Sequence, residues 1–387
     1  MTRIGFETDL HQGPGIFMSR LRTVLEAAGV FDADTPDVWI QLSFHDLPAH
    51  IAERRAKGLT KVVVRMDGAY CGRAYRIHKP WVVPAPWLDE AYSAKKNAAK
   101  NRRLRENLLA ADDIIFQSHF SRQLTQRFVT PTPPGNTIYN GIDLSAFSPD
   151  GPDSDRLPSD GTRILMSHSF RPYHRLHDAL TILAELRRNP GDLPQPIRLC
   201  VLGGDNDTGV FEAAHRQAAT LGLTVGADVV FLGKIPAPEL APVYRSADVM
   251  LNLSYWDSCP NVVIEAMACG LPLVGVGYGG VGELLGDGPD AGGVCVREDI
   301  PFTYLDHTDP ARMVAAPVGR YGDALREVVR AASDWRGRSR ARAEARFDIR
   351  QTAAAYMAVC EGVAAGYAPG LVSDPLFTDH RTIAPPT

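Results

Sequence analysis

Twice along the chain, short runs rich in Val and Ile alternate with longer segments whose apolar residues recur at helical spacing. This rhythm constrains the fold more than any other feature. In the first half RIGF, GIFMSRLRTVLEAAGV, KVVVRM, a charged helix, DDIIFQS and HFSRQLTQRF follow one another. After residue 160 the pattern returns as RILMSH, HDALTILAELRR, IRLCVLGG, FEAAHRQAATLG, DVVFLG, APELAPVYRSA, DVMLNLS, NVVIEAMACG and PLVGVG. Strands that alternate with helices in this way build parallel sheets joined by crossover helices. Between the halves lies SPDGPDSDRLPSDG, residues 148–161, where Pro, Gly, Asp and Ser displace apolar residues and mark a linker. At 387 residues the chain exceeds one domain of roughly 100–200 residues. The expectation is an α/β protein of two doubly wound domains facing across a cleft, residues 1–150 and 160–345, with an irregular tail over 366–387. Ligands of such sheets bind beyond the carboxyl ends of the strands.

Composition narrows the partners. The 41 Lys plus Arg against 45 Asp plus Glu give a formal charge of -4, which argues against a general nucleic-acid binder. Cys71, Cys200, Cys259, Cys269, Cys295 and Cys360 occur without a CxxC pair or a His at metal-ligand spacing. Neither a zinc site nor a disulfide framework is indicated, and a reducing cytoplasm is expected. The opening MTRIGFETDL lacks a basic stretch followed by an apolar run, and no segment reaches the roughly 18 apolar residues of a membrane span. KKNAAKNRRLRENL, residues 95–108, gathers six basic residues on a helix. Residues 95–105 could make weak peripheral contact with anionic lipid or an acidic acceptor, or form a solvated face.

The densest signal is YWDSCPNVVIEAMACGLP, residues 255–272. Pro260 suits the first turn of a helix, where its missing N–H has no partner to lose. Gly270 and Pro272 then stop that helix. The amides around Asn261 and Val262 would form an anion site favoured by the helix dipole. Glu265 lies four residues beyond Asn261 on the same face, placed to accept two ribose hydroxyl hydrogens, and Asp257 could reach a further hydroxyl. Alone, the stretch is equally a capped helix with Asp257 or Ser258 as the cap and Glu265 in solvent.

A second constellation is SHSFRPYHRLHDAL, residues 167–180, where Arg171 and Arg175 stand at the handover from strand to helix. Two guanidinium groups there could grip a pyrophosphate, or simply form a basic turn. Tyr173, His174 and His177 are read as packing or capping residues. Gly203 and Gly233, in IRLCVLGG and DVVFLG, join the candidate donor-binding set. In the first half, Gly13 and Gly15 of LHQGPGIFMSRL would let backbone approach a ligand, or make a plain tight turn. Arg65 and Asp67 follow a buried-type strand, as cleft residues or as an Asp-Gly turn with a salt bridge.

As an ordered set these segments resemble retaining GT-B glycosyltransferases of family four. DSCPNVVIEAMACGLPLVGVGYGGVGEL is similar to that family's signature of two acids separated by seven residues. TIYNGIDLSAFSP (137–149), IIFQSHFSRQL, VVFLGKIPAPEL and RFDIRQTAAAYMAVCEG (346–362) resemble family segments in the expected order. The likeness is clear over about residues 115–362 and loose before them. It implies the GT-B fold of two Rossmann-like domains, with a helix at 348–365 crossing back to complete the first. It implies that Glu265 binds ribose, that Arg171 and Arg175 hold the diphosphate, and that the Asn261 and Val262 amides assist. Asp257 would touch the transferred sugar, and a glycine-rich loop such as that of Gly13 and Gly15 would lie beside the diphosphate. The activity implied is transfer from a nucleoside-diphosphate sugar to an acceptor hydroxyl, with retention. No cofactor is implied, and with no DxD-like pair of acids no metal is expected. Two departures stand out: Asp257 replaces the usual Glu, and Arg175 the usual Lys. The His that commonly faces the reacting sugar is missing near Arg65 and Asp67. A nucleotide-sugar epimerase and a non-catalytic nucleotide- or glycan-binding module are the alternatives. Base, sugar, acceptor and oligomeric state have no signal in the sequence.

Overall fold

The computed structural model describes residues 1–8, 12–69, 90–205, 209–254, 256–298, 315–367 and 370, with 12–13 and 90–97 described as backbone alone. Cys71, Tyr255, the basic side chains at 95–97 and nearly all of the expected tail lie outside that description.

The first sheet contains β1 (Ile4–Gly5), β2 (Val38–Leu42), β3 (Lys61–Met66), β4 (Asp113–Phe116) and β5 (Asn136–Thr137), all parallel and in that spatial order. Phe31 bridges Ile4 on the free side of β1, so the chain leaves β1 on one side and returns at β2 on the other. That reversal is the mark of a doubly wound sheet. Both faces are buried, as the unbroken apolar runs require. Val38, Ile40, Val63 and Ile115 face α1 (Gln12–Ala27) and α12 (Ile349–Ala364). Trp39, Val62, Val64 and Phe116 face α2 (Ala49–Ala56) and α3 (Glu90–Ala110), which contributes Leu104 and Leu108. Successive strand residues thus alternate between two cores.

The second sheet is built from β6 (Thr162–Ser169), β7 (Ile197–Gly204), β8 (Val229–Gly233), β9 (Val249–Asn252), β10 (Leu273–Val276) and β11 (Gly293–Val296). Its order, β11-β10-β9-β6-β7-β8, reverses between β6 and β9. One face carries α5 (Leu176–Arg188), α6 (Val210–Thr220) and α10 (Val318–Arg330). The other carries α7 (Leu240–Ser246), α8 (Asn261–Ala268), α9 (Gly279–Leu285) and α11 (Ala332–Arg346).

The chain crosses between the sheets at two adjacent places. Ile142 N–H donates to Phe347 O (2.7 Å) and Ile349 N–H to Ile142 O (2.9 Å), tying the outward and returning strands together. Asp348 then caps α12 by accepting from Arg350 N–H, and Tyr356 packs on Phe17 of α1 with ring centres 5.8 Å apart. The fold is GT-B, two parallel-sheet domains with their carboxyl edges turned to one cleft. Among the described residues no helix is long and apolar enough to cross a membrane.

Candidate functional site

At the reversal between β6 and β9, the strand ends deliver Ser167, His168, Asn252 and Ser254, all buried. His168 stacks on His174 at 4.2 Å and meets Phe170 edge-on. Burial pushes the His168 ring down to about 3 and, with the neighbouring His168 and Arg171, holds His174 well below the usual imidazole value. Both rings are therefore neutral packing elements, and His174 Nδ1 accepts the Arg171 N–H at 2.9 Å. That bond fixes the turn carrying Arg171, whose half-buried guanidinium pairs with no carboxylate among the described residues.

Arg175 departs from the sequence expectation. It takes a left-handed conformation (φ 59°) and its side chain is fully buried. Its Nε donates to Asp178 (2.7 Å) and its Nη1 to both oxygens of Glu298 (2.9 Å each), while Tyr321 OH also donates to Glu298. A guanidinium enclosed by two of the protein's own carboxylates is an internal structural cation, not a diphosphate grip. Extra local charge and a burial-compatible partner set at 178 and 298 are what four residues of spacing could not reveal.

The YWDSCPN stretch leads into α8. Pro260 (φ −65°, ψ 114°) stands one residue before the helix, and Asn261 and Val262 occupy its first turn, where helix N–H groups have no intrahelical acceptor. Gly270 at φ 69° closes the other end, with Leu271 N–H donating to Ala266 O and Gly270 N–H to Met267 O, a left-handed stop that suits glycine. Glu265 is 5% exposed, so the solvated-residue alternative is gone. Its Oε1 accepts from Arg20 Nη2 (2.6 Å) and its Oε2 from Tyr244 OH (3.0 Å). Burial and the adjacent Glu265 push the Tyr244 phenol well above its usual value, so it remains a donor. Ser167 Oγ lies 3.3 Å from the same hydroxyl, which connects the end of β6 to the acid. Asp257 is half-buried, its Oδ1 accepting the Cys259 N–H at 3.3 Å, and burial raises its carboxyl to about 6. Tyr173 lies within electrostatic range of both Asp257 and Arg171, which places those three around one region. Buried Ser258 faces Gly68 of the first domain.

Of the two glycines of the second sheet, Gly203 pairs with His168 at the strand ends and Gly233 lies farther out. A Cβ on Gly203 would lie 1.9 Å from His168 O, so this residue lets β7 pass close to β6. Gly233 ends the outer strand β8, two strands from the reversal, in a turn at φ 68°. In the first half, Gly13 and Gly15 fall within the opening turn of α1 and not in a loop before it.

Arg65 is 1% exposed and bound to Asp67, to Gln117 Oε1 (3.1 Å) and to Asn140 Oδ1 (2.8 Å), with its guanidinium 4.7 Å over the Phe17 ring. Burial raises the Asp67 carboxyl above the usual carboxylate value, against the pull of Arg65. Asn140, in YNGID, then donates to Asn261 Oδ1 (3.0 Å) and Cys259 O (3.1 Å). Asp67, Arg65, Asn140 and Asn261 thus form one polar chain from the first sheet to α8. A second clasp lies beside it. Glu283 of α9 accepts the His119 N–H (2.9 Å) and Phe120 N–H at the start of α4 (His119–Phe128), and the Tyr139 OH (3.1 Å). Sequence reasoning missed Arg20, Asn140, Tyr244 and Glu283; no local pattern says that the side chains of Arg20, Asn140 and Glu283 meet the other domain, or that Tyr244 meets Glu265.

Residues 150–300 match the family model described as glycosyl transferases group 1. The D-inositol 3-phosphate glycosyltransferase 2 of Catenulispora acidiphila is 32% identical over 47% of this chain and 43% of its own. The D-inositol 3-phosphate glycosyltransferase of Acidothermus cellulolyticus is 28% identical over 74% of this chain and 68% of its own. The chain therefore spans under half the length of the first of these relatives. Among solved structures, sucrose-phosphate synthase from Thermosynechococcus elongatus superposes with a TM-score of 0.65 at 17% identity, covering 94% of this chain and 96% of that one. Anabaena HepE in complex with UDP-glucose gives 0.61 at 15%, covering 92% and 100%. These likenesses are of fold.

Proposed function

We propose, from the match of residues 150–300 to the model of the glycosyl transferases group 1, that the protein moves a glycosyl group from a nucleoside-diphosphate sugar to an acceptor hydroxyl. The reading is supported by the reversal between β6 and β9, where Ser167 at the end of β6 lies 3.3 Å from the Tyr244 hydroxyl that donates to Glu265, and where Arg171 and Asp257 both neighbour Tyr173. Glu265 accepts from the ribose hydroxyls, and the α8 amides and Arg171 face the diphosphate. As the bond between the anomeric carbon and phosphate oxygen breaks, charge grows on the leaving group and fixed donors stabilise it without reorganising. The new bond forms to the acceptor oxygen, whose proton passes to the departing phosphate on the same face of the sugar, giving retention. Asp257 accepts from a hydroxyl of the transferred sugar. In this scheme Arg171 and the helix amides do the work a divalent metal would do elsewhere.

HepE was solved with UDP-glucose and the named relatives are inositol-phosphate glycosyltransferases, so UDP-glucose and an inositol phosphate open the donor and acceptor panels. Purified protein is expected to release nucleoside diphosphate from one donor of a UDP-, GDP- and ADP-sugar panel, with glycosylated acceptor as the product. Undiminished turnover in EDTA supports the metal-free scheme, and abolition by EDTA refutes it. Conversion of the donor to its epimer without acceptor would replace transfer by the epimerase reading. Nucleotide binding without turnover of any donor would leave a binding module.

A further inference from the structure

Helix α1 packs on the first sheet, yet its Arg20 ends 2.6 Å from Glu265 on α8 of the second. We propose that Arg20 is a positioning residue for the donor ribose. It orients the Glu265 carboxylate from across the cleft, so the grip on the ribose diol is complete only while the two domains sit together. The inference rests on the donor-site reading of Glu265.

Three observations carry it. First, an ionised carboxylate has about four acceptor positions. Arg20 takes one on Oε1 and Tyr244 one on Oε2, which leaves a position on each oxygen for two neighbouring hydroxyls. Second, Tyr244 has one hydrogen and constrains one oxygen; the plane of the carboxylate is set when Arg20 holds the other. Third, Arg20 is itself held. Its guanidinium carbon sits 5.5 Å over the ring of Phe147, and its side chain is 18% exposed against 6% for Glu265. A pair that far removed from water is screened much less than a surface pair. Arg20 also comes from outside the matched residues 150–300, which makes the first domain a contributor to nucleotide binding and not only to acceptor binding.

The experiment measures binding to the full chain by titration calorimetry. UDP, GDP and ADP are compared on the wild type, and the tightest is carried forward with its 2′,3′-dideoxy counterpart. Arg20→Ala is expected to weaken the ribonucleotide about tenfold, the equivalent of ~1.4 kcal/mol, and to leave the dideoxynucleotide unchanged. Arg20→Lys, which keeps the charge, recovers part of the loss and carries the same comparison if Arg20→Ala does not fold. In Glu265→Gln the further change to Ala at position 20 adds little. Equal losses for both nucleotides, or binding by Arg20→Ala as tight as or tighter than wild type, would overturn the proposal. Wild-type protein that binds none of the three nucleotides, or Glu265→Gln that binds like wild type, refutes the donor-site reading beneath it.

Discussion

The two sides of the cleft offer different kinds of polar group. On the second-domain side, Arg171 pairs with no carboxylate among the described residues, and Asp257 accepts from the Cys259 N–H of its own loop. On the first-domain side, Arg65, Arg20 and the α4 amides are already bound, and their partners Asn140, Glu265 and Glu283 lie at or beyond the domain boundary. In the function proposed above the first side holds the ligand, while the contacts of the other set how the halves meet. The same contrast appears within RPYHR, where Arg171 pairs with no acid among the described residues and Arg175 is enclosed by two.

The largest break in that comparison is expected at Arg175. Arg175→Ala leaves Asp178 and Glu298 buried without their cation, a loss of roughly 3–5 kcal/mol, whereas Arg171→Ala changes stability by about 0.5 kcal/mol or less. Urea denaturation of the two variants reads the difference directly. An Arg175→Ala chain as stable as wild type would return Arg175 to the ligand-binding role read from its spacing. Asn140→Ala cuts the polar chain between Arg65 and Asn261 and strands buried donors, for a cost of about 1–3 kcal/mol in the same assay. Only if those groups are bridged some other way would the variant match wild type.

Two smaller effects concern pH. Burial raises Glu283 from 4.5 to about 7 in the folded chain, against its three donors. The folded state therefore binds more protons than the unfolded state across that window, and its contribution to stability falls as pH rises from 4.5 to about 7. Glu283→Gln is expected to flatten this part of a thermal-midpoint profile, and an unchanged slope would show that the clasp does not titrate there. Asp257 is raised to about 6, so its charged form is lost as pH falls through that value. If the carboxylate accepts a sugar hydroxyl, KM for the donor sugar rises below pH 6 in wild type and Asp257→Asn removes the inflection. A KM that ignores this range would detach Asp257 from the sugar.

Much of the fold was legible because it rests on periodicity. Runs such as KVVVRM and IRLCVLGG are apolar on both faces, and only a sheet covered on both sides buries them. Glu265 and the α8 start were legible for a related reason, since a helix terminus and a carboxylate one turn on are local geometry. Arg175 misled because a basic residue at a strand end looks the same whether it faces a ligand or Glu298, 123 residues away. Arg20 and Glu283 were silent for the same cause: their roles exist only in contacts between distant segments, 245 residues apart in the case of Arg20 and Glu265. Loop positions 13 and 15 became helix because Gly-Pro-Gly permits a turn without requiring one, and Pro suits an opening helical turn.

The central claim is that the second-domain edge holds a nucleoside diphosphate, and titration of UDP against wild type, Arg171→Ala and Glu265→Ala tests it most directly. The account predicts that each substitution weakens binding by at least about tenfold, since each removes a hydrogen bond to a charged group. Affinity unchanged from wild type in both variants would contradict it.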